Sequence, residues 1–293
     1  MNQKASSIGS LAARVLSRRR IGEVTRVFQR SVYVRSGDDF VLLLWGEPRS
    51  PMAINIAGSG VGQRTRVGEQ CILRPDCVVF DSGEVDVRGA QLFQSALLGR
   101  RRVVPPPGAA LAKGVIMLRS LYEVSPSGPS LITDAALRSF VSEVLTPFTR
   151  GERGKFYAPE SYLPLIGRGG GFTPAGDDFV GGLLTALNFV ARCRRSRQVR
   201  IPRSLLHERT IPESAAILRY SAMGHVDEDM GRFVIKTLDG SARFYDELMA
   251  VARRGHTSGV DMSLGVLLGE AALTEAGGEV GSLKSCLDAV WRP

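Results

Sequence analysis

Residues 24–45 read VTRVFQRSVYVRSGDDFVLLLW, in which β-branched and aromatic residues flank the turn-forming Gly37-Asp38-Asp39. Such residues fit a pleated surface, and glycine and aspartate favour hairpin turns. The stretch predicts three strands, over 24–28, 31–34 and 40–45. Shorter runs of similar composition predict further strands over 52–56, 71–73, 78–80 and 85–87. Short strands at this spacing indicate a small antiparallel sheet or partial barrel.

The first twenty residues predict a helix instead. Their apolar positions follow the helical spacing i, i+3, i+4, i+7, i+8, at Ile8, Leu11, Ala12, Val15 and Leu16. Arginines follow this weakly apolar stretch, whereas a secretory signal carries its charge before an apolar core. No run approaches 18 consecutive apolar residues, so a membrane-spanning helix is not expected. We therefore expect an unprocessed cytoplasmic protein.

Three consecutive prolines, Pro105 to Pro107, follow the strand-rich part and break any regular element. We place a domain boundary there, which gives a β-rich domain over 1–104 and a mainly helical domain over 105–293. The basic triplet Arg100 to Arg102 precedes the prolines, and it predicts a solvated turn or, as the alternative, a contact with a phosphate backbone.

Beyond residue 130 the apolar period changes from 2 to 3.6. The first helical stripe comprises Leu137, Phe140, Val141, Val144, Leu145 and Phe148. Thr133 or Asp134 should cap this helix, and Pro147 should kink or end it. Further helices are predicted over 174–195, 213–223, 241–254 and 260–275. A β-rich part followed by a helical part makes the fold class α+β.

The amino-acid composition limits the classes of function that the protein can have. The 38 Lys and Arg against 29 Asp and Glu give a net charge of +9, which favours anionic partners such as small metabolites or nucleic acid. The four cysteines form no C-x-x-C pair, and only three histidines are present. We therefore expect free thiols, no cofactor and no dedicated metal site, with Mg²⁺ left open.

The glycine-rich segment 167–178 reads GRGGGFTPAGDD. Glycines keep side chains away from a ligand, and Thr173 before Pro174 is typical of an N-cap that opens a helix. Unpaired N–H groups at such a start attract an anion, and Arg168 could add a guanidinium. The cradle predicted for phosphate or carboxylate comprises Arg168, Gly169, Gly170, Gly171 and Thr173. It lacks the Gly-Lys-Ser/Thr ending of a P-loop and the context of a dinucleotide fingerprint.

Asp177 and Asp178 fall in the first turns of the helix that this segment opens. Acids there commonly offset the helix dipole and cap N–H groups. Because adjacent residues do not share a helical face, both carboxylates holding one metal ion is sterically awkward. The alternative is that one of them orients a substrate amide or binds Mg²⁺ while the other caps the helix.

A second segment, 255–261, reads GHTSGVD. Ser258 and Asp261 have the S-x-x-D spacing of a capping box, which predicts a helix start and explains both residues structurally. It leaves His256, Thr257 and Gly259 unexplained, and a histidine in such a loop can donate to an oxyanion or transfer a proton near neutral pH. Ser258 is not expected to be a covalent nucleophile, since no G-x-S-x-G elbow is present. Arg219 and Tyr220, on the helix between the segments, either contact an anion or merely pack.

In this order and spacing, the two segments resemble a bacterial family filed as a domain of unknown function, one branch of which is linked to oxamate carbamoyltransferase of allantoin and purine breakdown. The family pattern runs Gly-x-Gly-Pro-Gly-Leu/Phe-Thr-Pro-Ser-x-Asp-Asp and then Gly-His-Thr-Ser-Gly-x-Asp. The first part is matched by Gly167, Gly169, Gly171, Phe172, Thr173, Pro174, Asp177 and Asp178, and the second by Gly255, His256, Thr257, Ser258, Gly259 and Asp261. Gly170 replaces the proline of the pattern and Ala175 its serine. The helix with Leu218, Arg219, Tyr220, Ala222 and Gly224 also resembles the family.

The resemblance implies a carbamoyltransferase component, with oxalurate and phosphate exchanging with oxamate and carbamoyl phosphate. It implies catalytic roles for His256 and Thr257, as donors to the carbamoyl oxygen, and for Asp177 or Asp178, which would orient the attacked amide. Substrate binding would involve Arg168, Gly169, Gly170, Gly171, Thr173, Arg219, Ser258, Gly259 and Asp261. Such catalysis would act by positioning and electrostatics, with no covalent intermediate.

Two other classes of function stay open. The resemblance implies a multi-protein enzyme with other subunits as partners, so the chain could instead be a ligand-binding or scaffolding subunit without chemistry of its own. A nucleic-acid binder is favoured by the net charge of +9 but not by the sparse aromatic residues, and no recognised reader motif is present.

Overall fold

The computed structural model describes residues 2–18, 20–46, 48–57, 64–97, 103–124, 130–149, 158–239, 244–255, 257–279 and 281–291. Contacts divide the chain into two compact units, the first comprising residues 1–96 and 225–228 and the second residues 97–224 and 229–293. The first unit is built mainly of strands and the second of helices, which confirms the predicted α+β class. The division into domains at 104/105 stays a prediction.

The first unit is a sheet that closes on itself. Its strands are β1 (Asn2–Gly9), β2 (Arg20–Phe28), β3 (Ser31–Ser36), β4 (Asp39–Trp45), β5 (Ala53–Ile56), β6 (Gln70–Leu73), β7 (Cys77–Phe80), β8 (Gly83–Asp86) and β9 (Gln91–Phe93). They lie in the order β5-β4-β3-β2-β6-β7-β8-β1-β9, and a further pairing of β1 with β5 closes the ring. Three pairings, β1–β8, β1–β9 and β4–β5, are parallel, so the sheet is not purely antiparallel. The ring of strands matches the other predicted form, a partial barrel.

The N-terminal prediction needs correction. Residues 2–9 form strand β1, and the helix α1 is confined to Ser10–Leu16. Strand β1 pairs with β5 on one side and with β8 and then β9 on the other, and Ile8 lies opposite Ile54 in the β5 ladder. These ladders override the helical spacing of the first apolar residues, because tertiary pairing outweighs local propensity.

The core of the first unit follows the two-residue period of its strands. Alternate residues of β3, such as Val32 and Val34, point inward and are fully buried. Val15 and Leu16 from α1 complete the same apolar cluster. The alternating stripe seen in the sequence thus becomes the inner face of the closed sheet.

The second unit consists of α2 (Gly108–Val124), α3 (Ala135–Thr149), α4 (Ala175–Cys193), α5 (Arg203–Arg209), α6 (Pro212–Ala222), α7 (Glu228–Thr237), α8 (Tyr245–Ala252), α9 (Ser258–Ala276) and α10 (Ser282–Trp291), with a short 3-10 helix over Pro159–Tyr162. The predicted helices correspond to α3, α4, α6, α8 and α9. Asp134 caps α3, since its Oδ1 accepts the N–H groups of Ala136 and Leu137. Pro147 lies inside α3 and does not end it. Helices α2, α5, α7 and α10 were not predicted, and residues 241–243 of the predicted helix 241–254 lie outside the described residues.

Helices α4 and α9 form the centre of the second unit and run parallel. Near their starts Gly182 faces Met262, and further along both helices Ala186 faces Gly269. A Cβ atom on Gly182 would lie 1.9 Å from the carbonyl oxygen of Met262. Glycine therefore lets the two backbones touch, and the parallel order brings both N-termini to the same end of the pair.

Within the described residues, the helices include none that combines the length and the apolar composition needed to cross a bilayer.

Candidate functional site

The two sequence motifs meet where α4 and α9 begin. Thr173 ends the glycine-rich segment and Ser258 is the first residue of α9, and their hydroxyl oxygens lie 3.0 Å apart although 85 positions separate them in the sequence. The Thr173 hydroxyl also donates to Oδ2 of Asp178 at 2.8 Å. This hydroxyl–carboxyl cluster of Thr173, Asp178 and Ser258 thus joins both motifs at the positive ends of two helices.

Asp178 is almost entirely buried in this cluster. Burial raises the pKa of its carboxyl to about 7, although hydrogen bonds from Ser258 and Thr173 oppose that rise. The group can therefore exist in either protonation state near neutral pH, which suits an acid–base or hydrogen-bonding role.

Asp261 lies one helical turn after Ser258 and is completely buried. Its Oδ1 accepts a hydrogen bond from the Ser130 hydroxyl at 2.7 Å and another from the Leu131 N–H at 2.9 Å. Burial raises the pKa of Asp261 to about 8. The hydrogen bonds from Ser130 and Leu131 oppose this rise, the nearby Asp178 adds to it, and Thr257 opposes it. Ser130 was missed by sequence reasoning, since it belongs to no motif and its position becomes informative only through this contact.

Asp177, the neighbour of Asp178, serves a different purpose. Its Oδ1 accepts the Gly167 N–H at 2.7 Å, and its Oδ2 accepts a short hydrogen bond from the Thr210 hydroxyl. Burial raises its pKa, with these hydrogen bonds opposing. Asp177 therefore braces the glycine-rich segment against the connection between α5 and α6, while Asp178 faces the motif residues. Adjacent residues on different helical faces explain the division.

The glycines of this segment shape its backbone. Gly167, Gly169 and Gly171 have φ values of 78°, 91° and 109°, a region that residues with a Cβ rarely adopt. A Cβ on Gly167 would also lie 1.9 Å from the carbonyl oxygen of Arg209. The alternate glycines are thus required by conformation and packing, whatever binds there.

Two of the local expectations at the helix starts are wrong. The first N–H groups of α4 are not unpaired: those of Gly176, Asp177 and Asp178 donate to the carbonyls of Arg168 and Pro174. Pro174, not Thr173, occupies the N-cap position, because the Thr173 hydroxyl turns to Asp178.

The capping box predicted for the second motif does not form either. Helix α9 has Thr257 at its N-cap position, and Ser258 is already helical. Asp261 turns its carboxyl to Ser130 and Leu131, since these offer two good donors in the interior. The side chains that the spacing alone would assign to capping thus form hydrogen bonds with more distant residues instead.

The other predicted site residues are less closely connected. Arg168 is exposed, with its guanidinium 5.6 Å from the ring centre of Phe140. It borders a cavity of about 370 Å³ that is also lined by Ile166, Gly167, Glu208 and Arg209. Arg219 donates from Nη2 to the hydroxyl of Tyr220 at 2.9 Å.

Three further predicted residues lie at the start of α9 or within the glycine-rich segment. Thr257 is buried, and a Cβ on Gly259 would lie 2.1 Å from the Val251 carbonyl oxygen, so glycine is needed there for packing. Gly170 is half-buried within its loop. His256 and the triplet Arg100 to Arg102 lie outside the described residues.

Comparison with known proteins adds a family. Residues 165–270 match the family model described as oxamate carbamoyltransferase subunit AllH. The matched segment contains Thr173, Asp178, Ser258 and Asp261, whereas Ser130 precedes it. Comparisons with curated proteins and with solved structures gave no match. The segment that forms the paired helices and both motif loops is thus similar to the family of the oxamate carbamoyltransferase subunit AllH.

Proposed function

We propose that the chain is a component of an oxamate carbamoyltransferase and acts on small anionic amides. The observation that carries this proposal is the contact between Thr173 and Ser258, which brings both motifs of the matched segment to one cluster with Asp178. The substrates would be oxamate with carbamoyl phosphate in one direction, and oxalurate with phosphate in the other.

The electrostatics of this end of the helix pair suit such ligands. Parallel α4 and α9 place two positive dipole ends side by side, which favours a phosphate or carboxylate nearby. Arg168 and Arg219 are the guanidinium groups proposed to assist. The net charge of +9 would also raise the local concentration of small anions.

The proposed transfer needs a base and hydrogen-bond donors. The amide nitrogen of oxamate attacks the carbamoyl carbon, the carbon–nitrogen bond forms, and the bond to the phosphate oxygen breaks. Asp178, with a pKa of about 7, accepts the proton that the nitrogen loses. Thr257 and His256 are proposed to donate to the carbamoyl oxygen as charge grows on it.

Binding is tested by thermal unfolding of the full chain with phosphate, carbamoyl phosphate, oxamate or oxalurate, each with and without Mg²⁺. A ligand at about 100 times its Kd should add about 2.7 kcal/mol of stability. Asp178→Asn should remove the shift, whereas Glu143→Gln, a change at an exposed carboxylate of α3, should leave it intact. A shift that survives Asp178→Asn would place the ligand elsewhere.

Turnover is tested after co-expression with the other subunits of the enzyme. Loss of carbamoyl transfer in Asp178→Asn, with the complex still assembled, would support a catalytic component. Binding that disappears while turnover persists would instead support a ligand-binding or scaffolding subunit, which the word subunit in the family description equally allows.

A further inference from the structure

The two oxygens of the Asp261 carboxyl have unlike surroundings. Oδ1 accepts hydrogen bonds from Ser130 and Leu131. Oδ2 is buried and meets no donor of the described residues in hydrogen-bond geometry, although the nearby Thr257 hydroxyl lowers the pKa of the carboxyl. An ionised carboxylate would place much of its charge on this unsolvated oxygen, which is costly in a protein interior. A neutral carboxyl with its proton on Oδ2 avoids that cost.

Ser130 holds this arrangement in place. It is fully buried, its hydroxyl oxygen accepts the Ile132 N–H at 3.2 Å, and its carbonyl accepts the N–H groups of Thr133 and Asp134. The turn that leads into α3 therefore fixes the hydroxyl that donates to Asp261 Oδ1. This turn precedes residues 165–270, so the support for Asp261 comes from outside the segment that the family model matches.

The charge facing Asp261 also favours the neutral form. Asp178 on α4 is a second carboxyl close enough to raise the pKa of Asp261. The turn before α3 contributes a hydroxyl and an N–H, both of which donate to Oδ1. Asp261, with a pKa of about 8, is thus largely protonated at pH 7.

We infer that Asp261, positioned by Ser130, serves the site as a neutral hydrogen-bond donor through Oδ2 to the carbonyl oxygen of a small carboxamide or carbamoyl ligand. Asp261 follows Ser258 by three residues on α9 and so lies on the same helical face as the cluster. A carboxamide presents an N–H donor and a carbonyl acceptor, which an accepting Asp178 and a donating Asp261 would complement. The ligand class rests on the proposed function.

The decisive variant is Asp261→Asn. Asparagine keeps an acceptor for Ser130 and Leu131 and places an N–H donor where Oδ2 was, but it cannot ionise. We expect the Kd for oxamate at pH 7 to stay within about threefold of wild type in Asp261→Asn and to rise about tenfold or more in Asp261→Ala. Equal loss in both variants would overturn the inference, since Asp261 would then act through its charge.

The pH profile separates donation from a merely structural role. The carboxylate of oxamate is ionised throughout, so wild-type affinity should fall as the pH rises past about 8 while that of Asp261→Asn should not. Ser130→Ala removes a donor to Oδ1, which should raise the pKa of Asp261 further and move the fall to higher pH. A profile that is the same in wild type and Asp261→Asn would contradict the inference.

Ligand-free unfolding gives a readout independent of the substrate. The folded-state pKa of Asp261 lies above its ordinary value of 3.8, so this group lowers stability progressively as the pH rises from about 4 to about 8. The advantage in Tm of Asp261→Asn over wild type should therefore grow across that window and level off above it. Absence of this trend would refute the neutral carboxyl, whereas failure of all four ligands to bind wild type would refute the proposed function alone.

Glu270→Gln is the matched control on the same helix. Glu270 is fully buried, and burial raises its pKa well above the ordinary value, so its replacement should give a similar pH trend in stability. Its Oε1 accepts from Thr237, away from both motifs. The affinity of the Glu270→Gln variant for oxamate should match that of wild type at every pH. A change as large as that in the Asp261 variants would contradict the assignment of Asp261 as the donor.

Discussion

The two units bury different kinds of side chain. The first unit encloses an apolar cluster, and among its described residues the buried polar side chains are neutral, as at Ser36 and Asn55. Where the second unit is described, five carboxyl groups are buried, at Asp177, Asp178, Glu213, Asp261 and Glu270. Buried carboxyls cost stability unless they are neutral or hydrogen-bonded, so their concentration in one unit supports the site proposed there.

The largest effect is expected where that second unit brings two backbones together. Gly182→Ala places a Cβ atom 1.9 Å from the Met262 carbonyl oxygen, which should separate α4 from α9 and cost more than about 4 kcal/mol. Urea unfolding, monitored by circular dichroism, measures this loss of stability. Gly181→Ala is the matched control, because its Cβ would meet neighbours at ordinary distances of 3.7 Å or more and should gain up to about 1 kcal/mol. Similar values for the two variants would contradict the close contact.

The next effect belongs to the apolar core of the first unit. Leu43 is fully buried, and Leu43→Ala should cost about 3 kcal/mol through lost transfer energy and a cavity. Chemical denaturation measures this loss. The ligand-induced shift in Tm should remain as in wild type, since the proposed ligand contacts only the second unit. Loss of the ligand-induced shift in a still-folded Leu43→Ala variant would contradict the proposal that the ligand contacts only the second unit.

A smaller effect separates the adjacent acids of α4. Asp177→Asn keeps an acceptor for only one of the two donors, Gly167 N–H and the Thr210 hydroxyl, and turns a donor towards the other, so it should cost about 2 kcal/mol. Asp178→Asn should cost less while removing the ligand-induced shift. Equilibrium unfolding with and without oxamate measures both quantities. If Asp177→Asn removed the ligand-induced shift and Asp178→Asn cost more stability, the structural role assigned to Asp177 would be wrong.

The smallest effect concerns an exposed ion pair of the first unit. Arg88 donates to both carboxylate oxygens of Asp86, and its hydrogen bonds lower the pKa of that carboxyl to about 2. Because the folded-state pKa is depressed, this stabilisation is present above about pH 4 and is lost as the pH falls towards 2. Arg88→Ala should lower Tm slightly at pH 7 and not at pH 2. This pH dependence of stability is opposite in sign to that expected for Asp261. A Tm difference between wild type and Arg88→Ala that grows as the pH falls would contradict the prediction.

The strands and most of the long helices could be predicted because their burial follows a simple period. The runs of β-branched, aromatic and aliphatic residues over 31–34 and 40–45 lie in β3 and β4, and α4 begins next to the predicted Thr173-Pro174 start. Strand β1 could not be predicted, because three ladders with distant strands decide its conformation. Helix α2 follows the three prolines, which were interpreted as a break and not as a helix start.

The candidate site could be predicted only as two separate motifs. Their residue types suggested an anion site, but spacing could not show that Thr173 reaches Ser258 or that Ser130 reaches Asp261. Local rules also assigned Ser258 and Asp261 to capping, whereas interior hydrogen bonds use them otherwise. Long-range contacts of this kind depend on how α4 and α9 pack, which one-dimensional patterns do not encode.

The first unit combines residues 1–96 with residues 225–228, which affects how it can fold during translation. Its residues 225–228 contribute the Val226 N–H that donates to the Ser95 carbonyl and Glu228, which forms an ion pair with Arg49. At translation rates of about 5–20 residues per second, the ribosome makes these residues roughly 7–25 s after residue 96. The closed sheet therefore lacks its contacts with residues 225–228 while the ribosome synthesises α2 to α6. Separate expression of residues 1–96 would omit the same partners permanently.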